Sequence, residues 1–353
     1  MKSEIHCSDE WASINIDTSI KLIEECAHLL TSRALSGIIP HTESEGSYGF
    51  VFTRPLGVIL GIAPWNAPLF LGLRAVIAPL AMGDTVILKG SELSPRTHYF
   101  IAGLFAHAEF PRGVVNFILH RPQDAPDIFG HLIRDPAVRK VNFTGSTQVG
   151  RIIAQQAGQA LKPVLLELGG KNCSIVLRDA DLAQAAEAVL VGATLNMYRL
   201  VGSKSTERVL ALISDAESKA SPIQSSINTH DICGLHVVPI TVLEDINDSM
   251  DFFRTESFGP CLGITTVSDK SEAVNIVNSS EYGLSAAIWT RNHYEALQMA
   301  RQLQVGAVHI NASTVHDEPT LPHGGTKSSG FGRFGAEWGL EEFVESQTVI
   351  LNA

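Results

Sequence analysis

The run Gly57-Val-Ile-Leu-Gly-Ile-Ala63, followed by Pro64-Trp65-Asn66-Ala67-Pro68 and the apolar stretch Leu71 to Met82, decides the fold. Apolar and glycine residues in unbroken succession predict a short strand buried on both faces, as in a parallel sheet. The prolines then turn the chain out of the strand and into a helix. Working outward, the spacing predicts a strand over Thr85–Leu88 that ends at Lys89, a helix from Pro95 to Ala108 and a strand over Val114–Leu119. A helix over Ala125–Ile133, a strand over Lys140–Phe143 and a helix opening at Thr147 continue the alternation. Strand and helix in turn imply an α/β fold with a doubly wound, Rossmann-like parallel sheet, whose ligands sit at the carboxyl ends of the strands.

Toward the amino end, apolar residues recur at helical spacing from Ser19 to Leu30, and Tyr48 to Val51 reads as an extended segment. Beyond the sheet a second α/β region begins at Cys173-Ser-Ile-Val-Leu, with a helix over Leu182–Leu195 and strands at Gly263–Val267 and Ala286–Thr290. Ser-rich sequence between Leu210 and Leu235 carries no clear period. The stretch Glu342 to Leu351 alternates like an exposed strand, open to pairing with another chain's edge.

The 353 residues carry a net charge of -11, with 45% hydrophobic and 18% charged residues, and no Lys/Arg cluster offsets that charge locally. This disfavours nucleic acid and anionic membranes as partners and points to a small-molecule protein. The cysteines Cys7, Cys26, Cys173, Cys233 and Cys261 are scattered, without the paired spacing of a metal site or a disulfide framework. No metal is expected, and a reducing, cytoplasmic location fits. The opening MKSEIHCSDEW lacks the basic and apolar regions of a secretion signal, and no apolar run reaches the roughly 18 residues of a membrane span.

Several segments carry chemistry. Phe143-Thr-Gly-Ser-Thr-Gln-Val-Gly150 puts Gly145, Ser146 and Gly150 at a strand-to-helix turn, where backbone N–H groups and the helix dipole favour a phosphate; close strand–helix packing explains the glycines equally well. Lys89 and Glu92 follow a strand end, suited to the hydroxyls of a ribose, or simply a solvated pair. Glu167, in Leu166-Glu-Leu-Gly-Gly-Lys171, sits among apolar neighbours beside a flexible glycine pair, where burial favours a general base or a structural carboxylate. Glu256-Ser-Phe-Gly-Pro260 combines a carboxylate, an aromatic face and a rigid turn, while Pro322-His-Gly-Gly325 and Ser329-Gly-Phe-Gly-Arg333 form a glycine-dense loop.

Taken in order, PWNAP, TVILKGSE, FTGSTQVG, LELGGKN, STER, ESFGP, YGLSAAIWT and PHGGTKSSGFGRFG resemble the aldehyde dehydrogenase superfamily, over about nine-tenths of the chain. The stretches APLFLGLRAVIAPLAMGDTVILKGSELSPRTHY and NASTVHDEPTLPHGG resemble its salicylaldehyde and vanillin dehydrogenases. The resemblance implies an NAD-binding domain over residues 1–45 and 56–169, a shortened catalytic domain over 170–340, and bridging strands at 46–55 and 341–353 that form oligomers. It makes Asn66 an oxyanion donor, Lys89 and Glu92 the grip on the adenosine ribose, and Gly145, Ser146 and Gly150 the pyrophosphate turn. Glu167 becomes the general base, Glu256 holds the nicotinamide ribose and Phe258 packs near the nicotinamide. NAD is then the expected cofactor ahead of NADP, and an aromatic aldehyde the expected substrate. The chain departs from the family at the nucleophile. Where a cysteine is expected it reads Asn196-Met-Tyr-Arg-Leu-Val-Gly-Ser-Lys-Ser205-Thr-Glu-Arg208, and counting back from Ser205 puts Ser203 in that place. Two functions follow: NAD-dependent oxidation of an aldehyde to its acid, or a catalytically inactive member that binds nucleotide or pairs with a complete paralogue.

Overall fold

The computed structural model describes residues 1–31, 36–195, 200–219, 222–223, 238–315 and 317–352. Two compact units share the chain: Met1–Ile14 with Leu168–Asp317 and Gly324–Phe331 form the first, and Asn15–Glu167 with Glu318–His323 and Gly332–Ala353 form the second. This division differs from the partition expected from sequence. Residues 1–14 fall with the later α/β region, and 332–353 fall with the earlier one.

The second unit is built on the strands β1 (Tyr48–Pro55), β2 (Val58–Ile62), β3 (Thr85–Lys89), β4 (Val115–Ile118), β5 (Val138–Thr144) and β6 (Val164–Glu167). Five of these lie parallel in the order β6, β5, β2, β3, β4. After α1 (Lys2–Ile5) and α2 (Asp9–Leu29), the helices α3 (Pro68–Ala81), α4 (Pro95–His107), α5 (Ala125–Arg134) and α6 (Thr147–Gln159) connect them. The chain starts at central β2, winds outward through β3 and β4, then returns to build β5 and β6 on the other side. That reversal makes the carboxyl ends of β2 and β5 the switch point of a doubly wound sheet, as expected. Ile59, Leu60, Val86, Leu88, Val141 and Leu165 are fully buried, which explains the unbroken apolar character of these strands. The closing strand, Val344–Leu351, pairs antiparallel with β1 from Tyr48↔Leu351 to Pro55↔Val344. The two bridging segments foreseen from sequence are thus one two-stranded sheet, and the exposed strand finds its partner within its own chain.

The first unit centres on β7 (Cys173–Val176), which pairs in parallel with Ser285–Trp289, itself paired with Ala307–Ile310. Helix α7 (Leu182–Thr194) follows β7. A second small sheet pairs Thr241–Leu243 with Cys261–Gly263. The aperiodic stretch after Leu210 begins inside helix α8 (Ser203–Glu217), whose Val209, Leu212, Ile213 and Ala216 share a core with Leu243, Met250 and Phe252. The sequence reading missed that helix because its first six residues, Ser203 to Arg208, are all polar and its apolar face begins only at Val209. Residues 196–199, part of the altered nucleophile loop, and Cys233 lie outside the described residues.

Candidate active site

In the second unit, the predicted site residues gather at the carboxyl ends of the strands. β2 leads into the half-buried Asn66, and Pro68 then opens α3 with the fixed φ of a first helical position. The Ala63 N–H donates to the Lys89 carbonyl at 3.3 Å, which holds the ends of β2 and β3 together. Lys89 Nζ lies 3.7 Å from Glu92 Oε2; burial pushes the Lys89 ammonium below its ordinary range, and Glu92 opposes that shift. At the end of β5, the Gly145 N–H donates to the Glu167 carbonyl at 3.1 Å. A Cβ on Gly145 would stand 2.4 Å from the Phe143 ring, so the turn admits only glycine without rearrangement. Ser146 caps α6, its Oγ accepting from the Val149 N–H at 3.4 Å, and Gly150 is buried within the first turns of that helix. The remaining N–H groups of this first turn and the positive end of α6 suit a phosphate.

Glu167 ends β6 with its side chain 12% exposed. Its Oε2 accepts from the Arg74 guanidinium and, at 3.2 Å, from Thr144 Oγ1, while His323 Nε2 lies 3.3 Å from Oε1. Apolar company alone was foreseen for this carboxylate. The structure supplies a cation instead, because α3 carries Arg74, 4% exposed, on its buried face. The guanidinium lies 4.3 Å from the Phe334 ring centroid and 5.5 Å from that of Phe70. A buried cation without a counter-ion is strongly unfavourable, so Arg74 and Glu167 depend on each other. His323 is fixed by two 2.8 Å backbone hydrogen bonds with Phe334.

In the first unit, Glu256 Oε1 accepts from the Gly170 N–H at 3.1 Å. A Cβ on Gly169 would lie 2.6 Å from Glu256 Oε2, so the glycine pair lets the backbone come close to this carboxylate. Burial pushes the Glu256 carboxyl above its ordinary range, against the Gly170 hydrogen bond and the charges of Arg208 and Lys171. Arg208 donates to the carbonyls of Glu256 and Ser257 at 2.7 Å each and so fixes the turn, in which Phe258 adopts φ 46°. Ser329 is fully buried; its Oγ donates to the Gly169 carbonyl at 2.7 Å and accepts from the Gly283 N–H at 3.0 Å. The glycine-dense C-terminal loop therefore anchors the Gly169–Gly170 turn. Ser203 is the exposed first residue of α8. Burial pushes the thiols of Cys173 and Cys261 up, which makes both poor nucleophiles.

Among the described residues no group of His, Cys, Asp and Glu is arranged to hold a metal, and no helix is long and apolar enough to cross a membrane. The polar strand ends, the capped glycine turn and the half-buried Lys89 instead fit the ribose and phosphates of a dinucleotide. The aldehyde dehydrogenase family pattern matches residues 4–198 and 199–349. The chain belongs to the aldehyde dehydrogenase family. It is 37% identical to the vanillin dehydrogenase of Pseudomonas sp. (strain HR199 / DSM 7063), over 97% of this chain and 79% of that protein. It is 35% identical to the benzaldehyde dehydrogenase [NAD(+)] of Pseudomonas putida, over 84% of this chain and 69% of that protein. Among solved structures, a salicylaldehyde dehydrogenase from Pseudomonas putida G7, complexed with salicylaldehyde, superposes with a TM-score of 0.92 at 33% identity, covering 99% of this chain and 80% of that one. Membership assigns this aldehyde dehydrogenase to the oxidoreductases that act on aldehydes.

Sequence reasoning gave no role to Arg74, His323, Arg208 or Lys171. One signal was legible: Arg74 is the only charged residue in the helix PLFLGLRAVIAPLA, and a lone charge on an apolar helix needs a buried partner. Lys171 gave no such signal. Its Nζ lies 3.9 Å over the Phe252 ring, and burial pulls its pKa down to about 8.

Proposed function

We propose that this aldehyde dehydrogenase oxidises an aromatic aldehyde to its carboxylic acid with NAD as the acceptor. The observation that carries the reading is the placing of Asn66, Lys89, Gly145 and Glu167 at the carboxyl ends of β2, β3, β5 and β6, around the switch point of one sheet. The vanillin and benzaldehyde dehydrogenases among its relatives support an aromatic substrate. A bound nicotinamide dinucleotide supplies the hydride acceptor. Lys89 and Glu92 hold the adenosine ribose, the Gly145–Gly150 turn binds the pyrophosphate, and Glu256 and Phe258 hold the nicotinamide end. Glu92 favours NAD, because its carboxylate accepts from the ribose hydroxyls and repels a 2′-phosphate. Similar solved structures include an NADP complex, so this preference rests on Glu92 alone.

For the chemistry, Ser203 adds its hydroxyl to the aldehyde carbonyl, Asn66 stabilises the oxyanion, and Glu167 prepares the water that releases the acid. Oxidation removes two electrons and the aldehyde hydrogen, and water provides the second oxygen. A serine hydroxyl is far less acidic than a thiol of pKa about 8.5, which makes the addition slow by several orders of magnitude. Oligomers, or pairs with a complete paralogue, form through the sheet of β1 and Val344–Leu351.

The exposed position of Ser203 at the start of α8 favours a second reading, in which the chain binds nucleotide without turnover. Incubation with NAD and benzaldehyde separates the two. Steady NADH formation supports catalysis, whereas NAD binding with no NADH above the protein-free rate supports the inactive member.

A further inference from the structure

Glu167 has two carboxylate oxygens, and both are engaged within the second unit. Arg74 reaches Oε2 from α3, Thr144 reaches the same oxygen from β5 at 3.2 Å, and His323 lies 3.3 Å from Oε1. Thr144 Oγ1 also accepts from Arg74 Nη2 at 3.1 Å, so guanidinium, hydroxyl and carboxylate close a small ring of hydrogen bonds. The rings of Phe70 and Phe334 hold the guanidinium in place. This arrangement is unequal. The Arg74 side is buried and doubly bonded, whereas the His323 side is one contact to a histidine 19% exposed. A carboxylate that must meet water can give up the Oε1 contact while Oε2 stays on Arg74.

We propose that Arg74 and His323 are positioning residues for Glu167, Arg74 as the pivot that keeps the carboxylate anionic and oriented, and His323 as the latch that holds its second oxygen. The proposal rests on the reading of Glu167 as the base of aldehyde oxidation. A permanent cation in contact lowers a carboxylate's proton affinity, with effects of about one to three pH units. The Arg74 contact thus favours the ionised form of the buried base. By the same physics, His323 shares the negative charge with Arg74, and its own proton affinity reports how that charge is divided.

Protein labelled with 15N-histidine, titrated by NMR, reads this directly. The His323 resonance is assigned by its loss in His323→Gln. In Glu167→Gln, which keeps the side-chain shape, the His323 midpoint should fall. In Arg74→Met, where the carboxylate belongs to His323 alone, it should rise by about one pH unit, and Arg74→Lys should return it toward the wild-type value. Should Arg74→Met fail to fold, the Glu167→Gln and Arg74→Lys arms decide. A midpoint unmoved by every folded variant overturns the proposal, whether or not the protein turns over. A second arm tests the base itself: in a Ser203→Cys background, Arg74→Met should move the acid limb of kcat/KM to higher pH by about one unit. If the His323 midpoint responds while this limb stays fixed, the contact is real but Glu167 is not the base. That outcome overturns the assigned role and identifies the functional reading as the step that failed.

Discussion

Asp84 offers a test of how burial, rather than contact, sets stability in this chain. It sits in the turn before β3, 3% exposed, with Oδ1 accepting the Gly57 N–H at 2.7 Å and Oδ2 buried without a hydrogen-bond partner. Burial pushes its carboxyl from 3.8 up to about 6, against the hydrogen bonds from Gly57 and Leu56 and the charge of Lys140. At about 1.4 kcal/mol per pH unit, this displacement corresponds to about 3 kcal/mol. The folded carboxyl holds its proton more tightly than the unfolded one. The contribution is therefore fully present below pH 3.8, falls away as the pH rises toward about 6, and is absent above that. Asp84→Asn keeps an acceptor for Gly57 and removes the titration. Unfolding by urea at a series of pH values from 4 to 8 should show Asp84→Asn gaining on the wild type by about 2.5 kcal/mol between the two ends. Costs of the new amide that do not depend on pH cancel in this difference. A gap between variant and wild type that stays constant across the range would refute the assignment of the raised carboxyl to Asp84.

Three further outcomes are expected. Ser203→Cys should raise NAD-dependent benzaldehyde oxidation at least about tenfold, since a thiolate forms near neutral pH and an alkoxide does not; an unchanged rate in a folded, NAD-binding variant would mean that position 203 lies away from the reacting carbon. Glu256→Ala should weaken NAD binding, measured by calorimetry, by about tenfold with the far-UV spectrum unchanged, because one charge-assisted hydrogen bond to a ribose is lost. Gly145→Ala places a methyl 2.4 Å from the Phe143 ring and should lower the stability of the folded chain by about 1–3 kcal/mol in urea melts, with weaker NAD binding alongside.

The strand-and-helix order of the second unit was readable because the strands β2, β3, β5 and β6 are largely buried and the helices α3 to α6 begin at a capping residue or a proline. The positions of Asn66, Lys89 and Gly145 at strand ends were legible for the same reason, since they follow from the position of each parallel strand. Partnerships between distant residues were not readable. Arg74 and Glu167 are 93 residues apart, and no period or local motif brings them together. Helix α8 escaped notice because its helical face is confirmed only by Leu243, Met250 and Phe252, which arrive from later in the chain. The terminal strand was recognised as a strand, while its partner was left open, because alternation reports a face and not a neighbour.

That partner is β1, and the pairing joins Arg54 to Glu345 across 291 residues of chain. A ribosome delivers β1 nearly 300 residues before its mate. Until Val344–Leu351 emerges, β1 is a nascent edge without that mate, a species that chaperones recognise and other nascent chains can capture.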